Sequence, residues 1–137
     1  MGRIDAAAQT LLDVTEASLD AGLRAAVIGN HIGDIGHAVE TVVKAGGFTV
    51  VRDLVGHGVG HLMHEEPQVP NHGKPKRGMR LVAGLTIAIE PMVNAGTDKT
   101  RTLSDKWTVV TADGKNSAHF EHTVAVTEAG PVVLTRL

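Results

Sequence analysis

The order of its hydrophobic patterns predicts an α+β domain for this chain. Three observations carry that reading. Apolar residues recur at three- and four-residue steps only in the first third of the chain, the spacing of an amphipathic helix. From Phe48 onward they fall in short alternating runs bounded by glycine, proline and turn residues, the pattern of half-buried strands. Helices precede strands and do not alternate with them, which separates a helical layer from a mostly antiparallel sheet. At 137 residues the expectation is one domain over 1–137, and 42% hydrophobic residues suffice for its core.

The first helix is expected from Asp5 to about Ala26, with Leu11, Leu12, Val14, Thr15, Leu19, Leu23 and Val27 on one face. Gly29-Asn30 stops it. A second runs from about Ile32 to Ala45, with Ile35, Val39, Val42 and Val43 inward, and Gly46-Gly47 ends it. Phe48–Val51 reads as a short strand. Gly56–Gly60 is glycine-rich, and Pro67–Gly78 reads as a polar, proline-bearing loop. Leu85–Glu90 alternates as a strand and stops at Pro91. Trp107–Thr111 is a strand followed by the turn Ala112–Lys115, Ala118–Thr127 a longer strand, and Val132–Leu134 a last apolar segment after Glu128–Pro131.

Composition excludes several classes of function. A net charge of −2 offers no basic footprint for nucleic acid or an anionic membrane surface. No apolar run reaches the roughly 18–20 residues that span a bilayer. The first residues have no apolar stretch of a secretory signal, and Ala6 stands where a myristoylation signal has Ser or Thr. With no cysteine there is neither a disulfide framework nor a thiolate metal site. The expected location is the cytoplasm.

Eight histidines in a chain with 2% aromatic residues direct attention to the segments that combine them with acids. His57 is framed by glycines in Gly56-His57-Gly58-Val59-Gly60, which allows close backbone approach and leaves the imidazole unobstructed. His64 follows with Glu65 and Glu66. Glu90 ends an apolar strand on the face of Thr86 and Ala88, opposite Leu85, Ile87 and Ile89. Glu121 shares a face with His119, Thr123 and Ala125, while Phe120, His122, Val124 and Val126 take the other. Each fits an ordinary alternative when taken alone: a turn, a solvated charge cluster, a strand-end carboxylate, an exposed sheet face. Together, carboxylates inside apolar strands call for a cation. One imidazole with two carboxylates, His57, Glu90 and Glu121, suits manganese, iron, cobalt or zinc.

These motifs resemble those of type I methionine aminopeptidases, members of the pita-bread metallopeptidase superfamily. The resemblance rests on Gly56–Gly60, His64-Glu65-Glu66-Pro67-Gln68-Val69-Pro70-Asn71, Ile89-Glu90-Pro91-Met92, Trp107–Thr111 and Phe120-Glu121-His122-Thr123, in the family's order and spacing. Asp13–Glu16 and Gly33–Gly36 also look like the family. Met92, where the prolidase-like branch has glycine, and Phe120–Thr123 favour the methionine aminopeptidases. The resemblance implies the C-terminal half of a pita-bread fold and removal of N-terminal methionine from nascent polypeptides, with two divalent ions in the complete site. It implies that His57 and Glu90 bind one ion and Glu121 bridges both. It also implies that Glu90 shuttles a proton, that His64 contacts the scissile peptide, and that Met63 and Trp107 line the methionine pocket.

The chain departs from that pattern in ways that set further expectations. The family has two aspartate ligands eleven positions apart. Eleven positions after the aspartates of this chain stand Glu16, Arg24, His31, Ala45, His64, Val109, Asn116 and Val124, none of them Asp. That pair and a substrate-binding histidine are therefore expected in an N-terminal half that the chain lacks. Three ligands of five predict one ion, held weakly. The missing half, or a second copy, is the expected partner. The alternative is an inactive remnant that serves as a binding or homodimerising module. Two milder departures are His119, where Gln is usual, and Val82-Ala83-Gly84-Leu85, where a Lys-Pro-Gly-Met type of turn is common.

Overall fold

A computed structural model describes residues 2–136. The first helix, α1 (Ala6–Ala25), begins where Asp5 caps it, accepting the Ala8 amide at 2.6 Å and so satisfying an otherwise orphan donor of the first turn. Its buried side steps through Leu11, Thr15, Ser18, Leu19, Gly22 and Leu23. The two hydroxyls on that side donate to the carbonyls of Leu11 and Thr15, which satisfies them within the helix. Gly22 permits close packing: a methyl group there would lie 2.9 Å from Val39 Cγ2 and 3.1 Å from Ile89 Cγ2. The second helix, α2 (Ile32–Ala45), buries Ile32, Ile35, Gly36, Val39 and Val43.

The strands are β1 (Thr49–Val50), β2 (Gly56–Gly58), β3 (Glu65–Val69), β4 (Thr86–Ile89), β5 (Met92–Asn94), β6 (Thr100–Thr102), β7 (Val109–Thr111), β8 (Ser117–His119), β9 (His122–Thr127) and β10 (Gly130–Val133). They form a five-stranded sheet in the order β10-β9-β4-β2-β3, a three-stranded sheet β1-β5-β8 and the pair β6-β7. Among the described residues every strand pairing is antiparallel, as the α+β reading requires.

One register links the two larger sheets. β4 pairs with β9 from Thr86↔Ala125 to Ile89↔His122, and β5 resumes on β8 at Met92↔His119 in the same frame. Between them Pro91 has no N–H to give to a ladder, although its carbonyl accepts from Phe120 N at 3.3 Å. The expected strand Ala118–Thr127 is therefore two strands, parted at Phe120-Glu121. Three other elements depart from expectation. The head of the supposed loop Pro67–Gly78 is part of β3, an edge strand that can hold a proline; its Val69 is fully buried and paired with Gly56. β5 is buried at every position, so it shows no alternation. β6, Thr-Arg-Thr, has no apolar residue to betray it.

Two cores follow from this layout. Leu19, Leu23, Ile32 and Ile35 of the helices pack on Ile87, Ile89, Val124 and Val126 of the five-stranded sheet. Leu11, Val39 and Val43 pack on Val50, Val93 and Ala118 of the three-stranded sheet. The helices thus cover one face of the five-stranded sheet, and its other face is left for polar side chains.

Candidate metal centre

The strand registers place the ligand candidates. Ile87 and Ile89 point into the core, so alternation sends Ala88 and Glu90 to the opposite face. Across the β4–β9 ladder Ala88 pairs with Thr123, and one step past the last pair Glu90 and Glu121 stand opposite each other at the break. On the other flank Gly58 pairs with Ile87, which sets His57 beside Ala88. One nitrogen or oxygen each of His57, Glu90 and Glu121 lie within 4.8 Å of one another, a separation a single ion can span. Among the described residues this is the one group of three such side chains.

The glycines around His57 serve the sheet. A Cβ at Gly56 would strike the Ala88 carbonyl, and one at Gly58 the Glu66 carbonyl. β2 is squeezed between β4 and β3, and only glycine fits at those two positions. The imidazole is oriented by Nδ1, 2.9 Å from the Gly58 carbonyl. That bond fixes Nδ1 as the protonated nitrogen and leaves Nε2 as a donor for a cation. Nε2 lies 3.6 Å from Glu90 Oε1.

Glu90 is 14% exposed and is held at two points. Its carbonyl accepts from Asn71 Nδ2 at 3.0 Å, and its Oε2 lies 3.1 Å from His119 Nε2. The hydrogen bond to Glu90 raises the His119 pKa above the ordinary histidine value, against the partial burial that lowers it. Neither Asn71 nor His119 was assigned a role in the site from the sequence. Their contacts depend on cross-strand pairing, for which the sequence has no direct signal; the one available hint was the departure from Gln at position 119.

A cavity of about 330 Å³ collects His57, Val59, Met63, His64, Glu90, Glu121 and Thr123. The rings of His57 and His64 are 4.2 Å apart, inclined at 49°, so His64 stands beside the ligand group without belonging to it. Met63 lines the cavity with 76% of its surface exposed. Trp107 is not brought there: it is 87% exposed in the connection between β6 and β7, its amide donating to Asp105 Oδ1 at 3.0 Å. A larger hollow of about 560 Å³ lies between β3 and the start of α2 and is lined by Glu66, His72, Lys74 and Arg77 among others; it contains no such ligand group.

The donor set fits a divalent transition ion: one imidazole nitrogen, already oriented by a backbone carbonyl, and two carboxylates on one sheet face. Comparison with known proteins agrees. The profile of metallopeptidase family M24 matches residues 1–128. Methionine aminopeptidase 1 of Bacillus subtilis is 53% identical over all of this chain, which covers 55% of that protein. The crystal structure of methionine aminopeptidase from Thermotoga maritima superposes with a TM-score of 0.97 at 43% identity, over 100% of this chain and 55% of that one. Prolidase from Pyrococcus furiosus, at 20% identity and a TM-score of 0.73 over 99% of this chain and 34% of its own, shares the fold alone. The chain spans about half the length of the curated relatives it matches. The fold is that portion of a pita-bread fold, and the chain belongs to metallopeptidase family M24, on the methionine aminopeptidase side of it.

Proposed function

We propose that residues 1–137 are part of the catalytic domain of a metal-dependent aminopeptidase that removes N-terminal methionine from nascent proteins and peptides in the cytoplasm. The observation that carries this reading is the convergence of His57, Glu90 and Glu121 on one cavity that also contains His64. No helix among the described residues is long and apolar enough to cross a membrane.

In this reading His57 Nε2 and the two carboxylates hold one divalent ion: manganese, iron, cobalt or zinc. When bound, such an ion polarises a carbonyl and lowers the pKa of water. The protein's own groups do the rest. Glu90, facing the cavity, accepts a proton from the attacking water and delivers it to the leaving amine. His64, next to His57, donates a hydrogen bond to the peptide carbonyl as it becomes tetrahedral. Met63 offers an apolar surface to the substrate's methionine side chain, and Trp107 joins it if the connection between β6 and β7 folds inward on binding. Donors for a second ion would come from an N-terminal half or a second copy.

The experiment is release of methionine from a Met-Ala-Ser peptide by the purified chain with manganese, cobalt or iron(II). His64→Ala is expected to lower the rate by about 10²–10³-fold, the usual cost of one transition-state donor. His57→Ala is expected to abolish metal-dependent release. Release that survives both substitutions, or that needs no metal, would sink the proposal.

A further inference from the structure

We propose that His119 is a positioning residue for Glu90: its Nε2–H holds one carboxylate oxygen so that the other is presented to the ion. The inference rests on the reading of His57, Glu90 and Glu121 as the metal-binding group, and it adds a residue outside that group.

Glu90 uses its two oxygens differently. Oε2 is 3.1 Å from His119 Nε2, within hydrogen-bond reach. Oε1 is 3.6 Å from His57 Nε2, too long for a hydrogen bond, and remains available to a cation. The two histidines therefore sit against opposite oxygens of one carboxylate, and only His57 belongs to the ligand group.

The backbone makes this division possible. Met92 pairs with His119, so Glu90 lies diagonally across the ladder from it, a separation that a long side chain can bridge. The contact spans the break at Pro91, where β4 of one sheet passes into β5 of the other. His119 is on β8, in the three-stranded sheet, while His57 is on β2 in the five-stranded one. With Asn71 holding the Glu90 carbonyl at 3.0 Å, both the backbone and the carboxylate of Glu90 are fixed.

An exposed His–Glu pair would contribute little. Here the carboxylate is 14% exposed, although the imidazole is 47% exposed. A partly buried carboxylate has few alternative partners, so the donor that reaches it sets its rotamer. Hydrogen bonds of this kind to metal-binding side chains typically change metal affinity by about 10–100-fold when removed.

The test is titration of the purified chain with cobalt(II), followed by calorimetry and by the visible absorption of the bound ion. Wild type is compared with His119→Ala and His119→Gln, each checked for native circular dichroism. The expected result is an affinity about 10–100-fold lower in the alanine variant with a shifted visible spectrum. Glutamine, whose amide can donate in the same direction, is expected to restore most of both. Unchanged cobalt affinity in His119→Ala overturns the proposal. So does equal loss in both variants with a spectrum that has lost a nitrogen donor, because His119 would then be a ligand. Should wild type bind no cobalt, the metal-site reading fails, and nitrogen NMR of the metal-free chain still decides the present inference. A proton on His119 Nε2 whose resonance moves on Glu90→Ala supports it, and a ring indifferent to Glu90→Ala refutes it.

Discussion

Asn71 is 1% exposed, and its side-chain nitrogen donates to the Glu90 carbonyl across 19 positions of sequence. Asn71→Ala would leave that carbonyl, next to Pro91 with its missing N–H, without its donor. A buried acceptor left unsatisfied costs about 1–3 kcal/mol. The expected outcome is a lower urea midpoint with an unchanged slope, and weaker cobalt binding by the folded chain; unchanged stability would mean that water replaces the amide. At this scale about half of the candidate site was legible in the sequence. His57, Glu90 and Glu121 were legible because carboxylates inside apolar strands and a glycine-framed histidine are locally anomalous. Asn71 and His119 are locally ordinary, and only the strand register gives them a partner. Trp107 sits in a recognisable motif, yet motif and position differ: the structure leaves it in the exposed connection between β6 and β7.

The second helix shows how an element is anchored from outside its own sequence. Asp34 accepts the His31 amide at 2.7 Å, closing a capping box, and also the Lys76 amide at 3.0 Å. Partial burial pushes the Asp34 carboxyl upward, but the amides of Lys76 and His31, with the His31 imidazole, outweigh it and hold the pKa below the ordinary 3.8. A lowered pKa means that the folded state favours the ionised form. The stabilisation is therefore fully present above the ordinary value and disappears as pH falls through the lower folded one. Asp34→Ala is expected to cost about 0.5–2 kcal/mol at neutral pH, the usual worth of a cap. The gap between the two urea midpoints should close as pH drops below the ordinary carboxylate range. A gap that persists in acid would show that the loss is one of packing and not of charge. Helix periodicity made both helices readable to within a residue or two. The strands were harder for definite reasons. β3 carries Pro67 but tolerates it at a sheet edge, β5 is buried on both faces, and a single proline cuts Ala118–Thr127 in two by depriving the opposite strand of a ladder partner.

Over the whole molecule, the two cores lie under different sheets, and only one lies beneath the candidate metal centre. Ile89 is fully buried against the helices through Gly22 and immediately precedes Glu90. Leu11, 3% exposed, belongs to the core beneath the three-stranded sheet. Truncating either to alanine removes a similar number of buried carbons, and each substitution is expected to cost about 2–5 kcal/mol. Their effects on the site should differ. Relaxation around an Ile89→Ala cavity moves the end of β4, and with it the angle at which Glu90 faces Glu121 and His57. Relaxation around Leu11→Ala is taken up between α1 and the other sheet. Binding to the native state alone stabilises it by RT ln(1 + [L]/Kd), about 2.7 kcal/mol at a hundredfold excess over Kd. Unfolding curves with and without cobalt therefore report the affinity of each folded variant separately from its intrinsic stability. At one fixed cobalt concentration, Leu11→Ala should gain the wild-type increment on top of a lower baseline, while Ile89→Ala should gain less. Equal increments would mean that Glu90 is positioned by its own hydrogen bonds from His119 and Asn71, without help from the core beneath it.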